Sequence, residues 1–177
     1  RAWRGGQRIM VNDMVSNPGL CPIIGVVAGP NKYSCNDMDT VRRQIEATYK
    51  LQDLVDRQYG GTGKGWYRVV KNPQEATDVI KAGKLAVVLG VEGSEPFGCK
   101  QTLGIAGCSK ADIDRGLDEL KGKGVSSMFL CHKFDNALCG VRYDADVTGL
   151  LVNAGQFLTT GTWWNPQTCK EGEPADN

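Results

Sequence analysis

Two apolar segments of the sequence each end on a residue that could do chemistry. Residues 85–91 (LAVVLGV) lead directly to Glu92, and residues 125–131 (VSSMFLC) lead to His132, the only histidine in the chain. Carboxylates and imidazoles both bind metal ions and both transfer protons. The near-continuous apolar composition is typical of buried strands in a parallel sheet. Because the C-terminal ends of such strands lie at one rim, the sequence predicts that Glu92 and His132 lie close together.

Each of these residues also has an ordinary structural interpretation. Glu92 could cap a loop or pair with an arginine, since a buried carboxylate must meet a cation, a metal or water. His132 could be a hydrogen-bonded structural histidine. Asp135 and Asn136 follow in the same loop, where they could fix the imidazole or contact a substrate, or could form an Asx-turn. Arg142 is a further candidate for a substrate contact at the rim, together with Glu95, Lys133 and Asp144.

Helical patterns alternate with the strand-like segments and would position both candidates. Three helices are predicted from their caps: one from Asn36 or Asp37 to about residue 58, one from Asn72-Pro73 to Gly83, and one from Ser109 to the 122–124 region. Residues 7–11 and 66–70 are further predicted strands, and residues 147–154 predict either a strand or the start of a helix. This alternation predicts an α/β fold built from parallel βα units.

The length of the chain bounds the architecture. A closed eight-stranded α/β barrel takes about 250 residues, whereas this chain has 177. It is therefore predicted to form either an open sheet or part of a TIM-barrel-like domain that is completed by polypeptide outside the chain. Residues 1–169 are predicted to form this partial barrel domain, and residues 170–177 a polar tail. The first residues, Arg1-Ala2-Trp3, include no methionine, which predicts a matured or excised chain.

Composition excludes several function classes. The formal net charge is +1, with 21 basic and 20 acidic residues, so charge gives no argument for nucleic-acid binding. The apolar segments are too short to span a membrane. The glycine-rich segment 60–65 (GGTGKG) is not a phosphate-binding loop, because Lys64 is followed by Gly65 rather than serine or threonine. No GxGxxG motif follows a predicted strand, which argues against a nicotinamide cofactor.

Seven cysteines are many for a chain of this size, and none forms a CxxC pair. Their position in loops rich in glycine and proline favours disulfides in an oxidising compartment, so a secreted protein is predicted. Three pairings would close short loops: Cys21 with Cys35, Cys99 with Cys108, and Cys131 with Cys139. The last is uncertain from sequence, since Cys131 ends a strand and could be buried, while Cys169 could pair with Cys139 or with a segment outside the chain. The alternative is a set of buried reduced thiols.

The segments VVLGVEGSEPFGC and SMFLCHKFDNALCGVR resemble a known group of proteins. The sequence is similar to large secreted bacterial proteins that carry factor five/eight-type (discoidin) domains, and the similarity extends from Trp3 to about Cys169. The resemblance implies a main domain that is a TIM barrel of the metal-dependent hydrolase type, distantly similar to the membrane dipeptidases. In the dipeptidase pattern a glutamate at a strand end bridges two metals, and a histidine followed four residues later by asparagine binds one of them.

Glu92 matches that glutamate, and His132 with Asn136 matches the histidine and its asparagine, with Cys131 where threonine is usual. The resemblance thus implies a divalent metal, zinc by type, bound by Glu92 and His132. The pattern also needs an upstream H-x-H or H-x-D strand and a further downstream histidine, which this chain lacks. The leading hypothesis is a secreted metal-dependent hydrolase that cleaves amides or esters with metal-activated water, with Glu92, His132 and Asp135 as catalytic residues and Asn136 and Arg142 as substrate contacts.

Two other functions fit the same residues. The first is a non-catalytic extracellular scaffold derived from such a barrel, held in a larger precursor or assembly. The second is a phosphodiesterase that uses Glu92 and His132 with a divalent ion. On any of these hypotheses the partner is the rest of the barrel or a larger precursor, and neither a nucleic acid nor a membrane span is expected.

Overall fold

The computed structural model describes residues 1–19, 21, 33–144 and 146–166. These residues form a mixed α/β fold in which strands and helices alternate for most of the length. In chain order the elements are β1 (Ile9–Ser16), α1 (Asp37–Gln58), β2 (Tyr67–Val70), α2 (Pro73–Lys81), β3 (Leu85–Gly93), a 3-10 turn (Pro96–Gly98), the short strands β4 (Gln101–Thr102) and β5 (Ile105–Ala106), α3 (Lys110–Gly122), β6 (Val125–Phe129) and α4 (Asp146–Thr160).

The helices begin where side chains can satisfy their free N–H groups. Asn36 caps α1 by accepting from the Asp39 N–H, and Asn72 caps α2 by accepting from the Glu75 N–H, with proline in the first turn. Ser109 and Asp112 form both halves of a capping box at α3. The three helices predicted from these caps are therefore confirmed. Residues 147–154, which the sequence left as strand or helix, belong to α4.

The four longer strands form one parallel sheet with β3 at its centre. β1 pairs with one edge of β3 over its whole length. The other edge of β3 pairs first with β2 and then with β6, with an irregular register between Leu89 and Gly90. All pairings are parallel, so the C-terminal ends of β1, β3 and β6 lie at the same edge of the sheet. This arrangement confirms the predicted parallel βα units.

Helices cover both faces of this sheet. Leu89 and Val91 of β3 pack with α1 and with Leu120 of α3 in one buried cluster. The alternate residue Ala86 is fully buried in a second cluster, against Ala76 of α2. Successive strand residues point to opposite faces, so α2 lies on the face opposite α1 and α3.

This two-sided arrangement differs from a closed α/β barrel, in which the helices form a single outer ring. The strand order differs as well, because β1 is hydrogen-bonded directly to β3 and not to β2. Of the two architectures that the sequence left open, the described residues therefore form the open parallel sheet. The predicted polar tail, residues 170–177, lies outside the described residues. In the described part of the chain no helix is long and apolar enough to cross a membrane.

Candidate functional site

The rim at the C-terminal ends of the strands brings Glu92 and His132 together. Glu92 is the next-to-last residue of β3, and His132 follows β6 by three residues. Oε1 of Glu92 lies 2.5 Å from Nδ1 of His132. The side chains of Glu92 and His132 are 31% and 22% exposed, respectively, so the pair is partly buried. The proximity that the sequence predicts for these two residues is present.

The contact fixes which ring nitrogen is available for chemistry. An ionised carboxylate only accepts hydrogen bonds, so the tautomer that suits an ionised Glu92 carries its proton on Nδ1 of His132. Nε2 then keeps its lone pair, and no side chain in the described ranges is hydrogen-bonded to it. A carboxylate on one nitrogen and a free second nitrogen is the arrangement of a histidine that acts as a base or as a ligand.

Two buried polar side chains hold the strand ends in this position. Ser94 is 3% exposed, and its hydroxyl lies 2.8 Å from the His132 carbonyl oxygen and 3.2 Å from that of Ser16. Asn136 donates from Nδ2 to the carbonyl oxygens of Ser94 and Leu130, at 2.8 and 2.7 Å. The ends of β1, β3 and β6 are therefore tied together by hydrogen bonds that are shielded from water.

Asn136 itself has no polar atom left for a substrate. Its Oδ1 accepts from the backbone N–H groups of Leu138 and Cys139, at 2.7 and 3.1 Å, and the residue is 5% exposed. This is the turn that the sequence allowed as an alternative. The structure therefore gives Asn136 a positioning role behind the rim, and the substrate contact stays a prediction.

Asp135 is likewise engaged in holding the loop. Its Oδ1 accepts from the Val141 N–H at 2.7 Å. Its Oδ2 accepts from Nε2 of Gln156 at 2.9 Å and from Nε1 of Trp164 at 2.8 Å. The carboxylate thus connects the loop after β6 to α4 and to the segment that follows it. Arg142, the other predicted substrate contact, is exposed and makes no ion pair within the described residues.

Three disulfides brace the loops of the protein. The pairs are Cys21–Cys35, Cys99–Cys108 and Cys131–Cys139. The third closes the loop that carries His132 and settles the alternative pairing of Cys139 with Cys169, which is wrong. Cys169 lies outside the described residues.

Directly after His132, Lys133 has φ 70, a left-handed conformation that costs a residue with a Cβ about 1–2 kcal/mol.

Two acidic side chains near the rim, Asp13 and Asp37, were not among the site residues that the sequence predicted. Asp37 is 2% exposed at the start of α1, and its Oδ2 accepts from the Glu95 N–H at 2.5 Å. Asp13 of β1 lies against Gly90 of β3, where a methyl group would approach Asp13 Oδ1 to 1.8 Å, so only glycine leaves room for it. Asp13 Oδ1 and Asp37 Oδ1 are both buried, and neither has a hydrogen-bond partner of good geometry among the described residues.

The electrostatics around Asp37 follow from its burial. Removal from water raises the pKa of Asp37 above its ordinary value, and the Glu95 N–H, Ser16, the Ser94 N–H and the nearby His132 oppose that rise. Burial also raises the pKa of Glu95, and the neighbouring Asp37 raises it further. The rim therefore combines an imidazole–carboxylate pair with two carboxyl groups that hold a proton more readily than usual.

The residues present supply the donor types that zinc takes, but not a complete ligand set. Imidazole nitrogen and carboxylate oxygen are ordinary zinc ligands. However, the two residues that the resemblance assigns as ligands are hydrogen-bonded to each other. Across residues 1–19, 21, 33–144 and 146–166, no three histidine, cysteine or acidic side chains are grouped so that they could hold a metal ion. The described residues thus supply two donors of zinc-binding type that are bonded to each other, and the predicted zinc site stays a prediction.

Comparison with known proteins gives no independent guide to this site. No protein-family model matches the chain, and neither the curated proteins nor the solved structures include a significant match.

Proposed function

We propose that the protein is a secreted hydrolase-type domain whose acid–base centre is the Glu92–His132 pair. The observation that carries the proposal is the 2.5 Å contact between Oε1 of Glu92 and Nδ1 of His132. It is supported by the position of the pair at the C-terminal rim of a parallel sheet, where ligands of open α/β folds bind. Three disulfides support a protein matured in an oxidising compartment.

The pair suits the hydrolysis of an ester or amide. Nε2 of His132 would take a proton from a water molecule as the water oxygen bonds to the substrate carbonyl carbon. Glu92 would hold the resulting imidazolium through Nδ1, and the same proton would then pass to the leaving oxygen or nitrogen as its bond to carbon breaks. A positioned acid–base group of this kind contributes about 10²- to 10⁴-fold to a rate.

The test is hydrolysis of 4-nitrophenyl acetate and of an amino-acid 4-nitroanilide by the full chain with its disulfides intact. His132→Gln should lower kcat/KM at least 100-fold, because the base is lost. Asp114→Ala removes an exposed carboxylate that pairs with Lys110 and serves as the matched control. Equal rates for the wild-type protein and His132→Gln would rule out His132 as the base.

The predicted zinc is tested separately, since its ligands would have to come partly from outside the described residues. The chain is equilibrated with zinc, passed through a desalting column and analysed for metal. One retained zinc per chain that is lost in His132→Gln would support the metal-dependent form of the hydrolase. Zinc retained equally by His132→Gln would count against a metal at His132.

A second candidate is the non-catalytic extracellular scaffold, and one observation favours it. Every side-chain oxygen of Asp135 and Asn136 is already used in hydrogen bonds that hold the loop. These hydrogen bonds stabilise the loop and leave no side-chain oxygen of the two residues for a substrate, as expected of a scaffold. A folded wild-type protein that hydrolyses neither probe, with or without zinc, would favour the scaffold.

A further inference from the structure

The carboxyl group of Asp37 is unusually buried for a residue in the first turn of a helix. Acidic residues there normally face solvent and interact with the helix dipole, as Asp39 does at 52% side-chain exposure. Asp37 is instead 2% exposed, and within the described part of the chain its Oδ1 is buried without a well-formed hydrogen bond. An unsatisfied buried polar atom costs about 1–3 kcal/mol. Stability alone does not account for a carboxyl group in this position.

The hydrogen bond that Asp37 accepts from the Glu95 N–H leads to the segment that follows Glu92. Its Oδ2 accepts from the Glu95 N–H at 2.5 Å. The approach is close along the whole segment, because a Cβ on Gly93 would lie 3.0 Å from the same oxygen. Two of the three residues after Glu92 are therefore packed on, or bonded to, the carboxyl group of Asp37.

The same segment is fastened from the other side by the loop that carries His132. Ser94 donates toward the His132 carbonyl oxygen, and Asn136 donates to the Ser94 carbonyl oxygen. Ser94 is thus hydrogen-bonded to the His132 loop, while its neighbours Gly93 and Glu95 contact Asp37. Any shift of residues 93–95 would move Glu92 relative to the imidazole.

We propose that Asp37 is a positioning residue of the Glu92–His132 pair, whose carboxyl group clamps residues 93–95 so that Glu92 stays on Nδ1 of His132. The inference rests on the proposed function for its importance to hydrolysis, but the clamp itself is a separate structural claim. An acceptor oxygen at Oδ2 is the essential feature. Asparagine should supply it, and alanine should not.

The test uses the full chain with histidine labelled with ¹⁵N in the ring, so that His132 gives the only imidazole signals. Glu92→Gln provides the spectrum of the ring without its carboxylate. Asp37→Ala should give ring signals close to those of Glu92→Gln and should speed exchange of the Glu95 amide proton at least tenfold. Asp37→Asn should keep the wild-type ring signals and the slow exchange. Asp39→Ala, in the same helical turn, should change neither.

Wild-type ring signals in a folded Asp37→Ala protein would overturn the clamp, and so would loss of those signals in Asp37→Asn. If Asp37→Ala does not fold, Asp37→Leu fills the same space without an acceptor and takes its place. The measurement needs no substrate. A wild-type protein that hydrolyses neither probe would therefore refute the proposed function while leaving the clamp to be decided by the ring spectra.

Discussion

Oε1 of Glu92 lies 2.5 Å from Nδ1 of His132, although the two residues are 40 positions apart in the chain. The contact forms because β3 and β6 are parallel neighbours in the sheet, with Glu92 in register with Phe129. His132 lies three residues beyond Phe129, and the next residue, Lys133, has the left-handed conformation. This relationship joins Glu92 and His132 into one hydrogen-bonded pair at the rim, which is the basis of the proposed acid–base centre.

Glu92→Gln should separate the role of the carboxylate from that of the imidazole. Glutamine has nearly the same shape, but its amide can donate to Nδ1, which would move the ring proton to Nε2 and remove the free lone pair. We expect kcat/KM for 4-nitrophenyl acetate to fall about 10²-fold or more, within the range for loss of a positioned acid–base group. Glu92→Asp, which keeps the charge on a shorter side chain, should retain more activity than Glu92→Gln. The opposite ranking would contradict this role for Glu92.

Loss of the Cys131–Cys139 disulfide should lower hydrolytic activity more than loss of the Cys99–Cys108 disulfide. It closes the loop of eight-residue separation that contains His132. In the chain-entropy account a loop of this size contributes about 2–3 kcal/mol to the free energy of unfolding. The double variant Cys131→Ser/Cys139→Ser should lose that stability and most hydrolytic activity.

The matched control is Cys99→Ser/Cys108→Ser, which opens a loop of nine-residue separation. It should cost a similar amount of stability, measured by urea unfolding. Because this loop does not contain His132, the folded variant should retain more activity than the Cys131→Ser/Cys139→Ser variant. Equal loss of activity in the two folded variants would show that the effect is global.

The loss of folding stability at acidic pH should depend on Asp56. This carboxylate accepts from the N–H groups of Gly63 and Gly65 and from the guanidinium of Arg68. The Gly63 N–H, followed by Arg68, lowers the pKa of Asp56 to about 2 from its ordinary 3.8. The stabilisation is therefore complete above about pH 4 and is lost as pH falls toward 2.

Asp56→Asn should lower the midpoint of thermal unfolding at pH 7, where the wild-type carboxylate is ionised and paired. Its stability should also fall less steeply than that of the wild-type protein between pH 4 and pH 2. Calorimetric scans across that interval check both effects. Parallel pH profiles for the two proteins would show that Asp56 is not the titrating group.

The same contacts show why residues 60–65 cannot serve as a phosphate loop. The backbone N–H groups of Gly63 and Gly65, which a phosphate would need, already bind Asp56. The sequence excluded the phosphate loop from the absence of serine or threonine after Lys64. It offered no indication of the partner, because Asp56 lies in a helix that is read from its apolar spacing alone.

Features with a local cause were predictable from the sequence, and features with a long-range cause were not. The cap at Asn72 and the capping box at Ser109 depend on residues three positions away, and both formed as predicted. The pairing of β1 with β3 depends on how α1 and α2 distribute over the two faces, which no local pattern encodes. The β4–β5 hairpin was missed for a different reason. Its turn has Leu103 at φ 51 before Gly104. Two-residue hairpin turns usually have asparagine or aspartate before the glycine, so Leu103 gave no sequence signal for this turn.

The candidate site shows the same division. Glu92 and His132 were predictable because each directly follows a recognisable strand. Asp37 was not, because Asn36 and Asp37 are equally good caps by residue type. Asn36 caps the helix, which leaves Asp37 to turn inward to the Glu95 N–H. Which of the two residues caps α1 depends on how α1 packs against the rim, and this packing is a tertiary contact that no local sequence pattern encodes.

The cost of burying Asp37 should be visible in the pH dependence of stability. Burial raises the pKa of Asp37 above 3.8 in the folded protein, despite the opposing Glu95 N–H and the nearby His132. As pH rises from about 4 through this raised value, the unfolded chain ionises first, so the folded state loses stability. Asp37→Asn keeps an acceptor for the Glu95 N–H and carries no charge. We therefore expect Asp37→Asn to match the wild-type protein near pH 4 and to exceed it at pH 7 by about 1 kcal/mol, the lower end of the cost of an unsatisfied buried group. Urea unfolding at the two pH values measures the difference. A variant that is less stable than wild type at pH 7 would mean that the buried charge is compensated by a partner, and that Asp37 stabilises the fold.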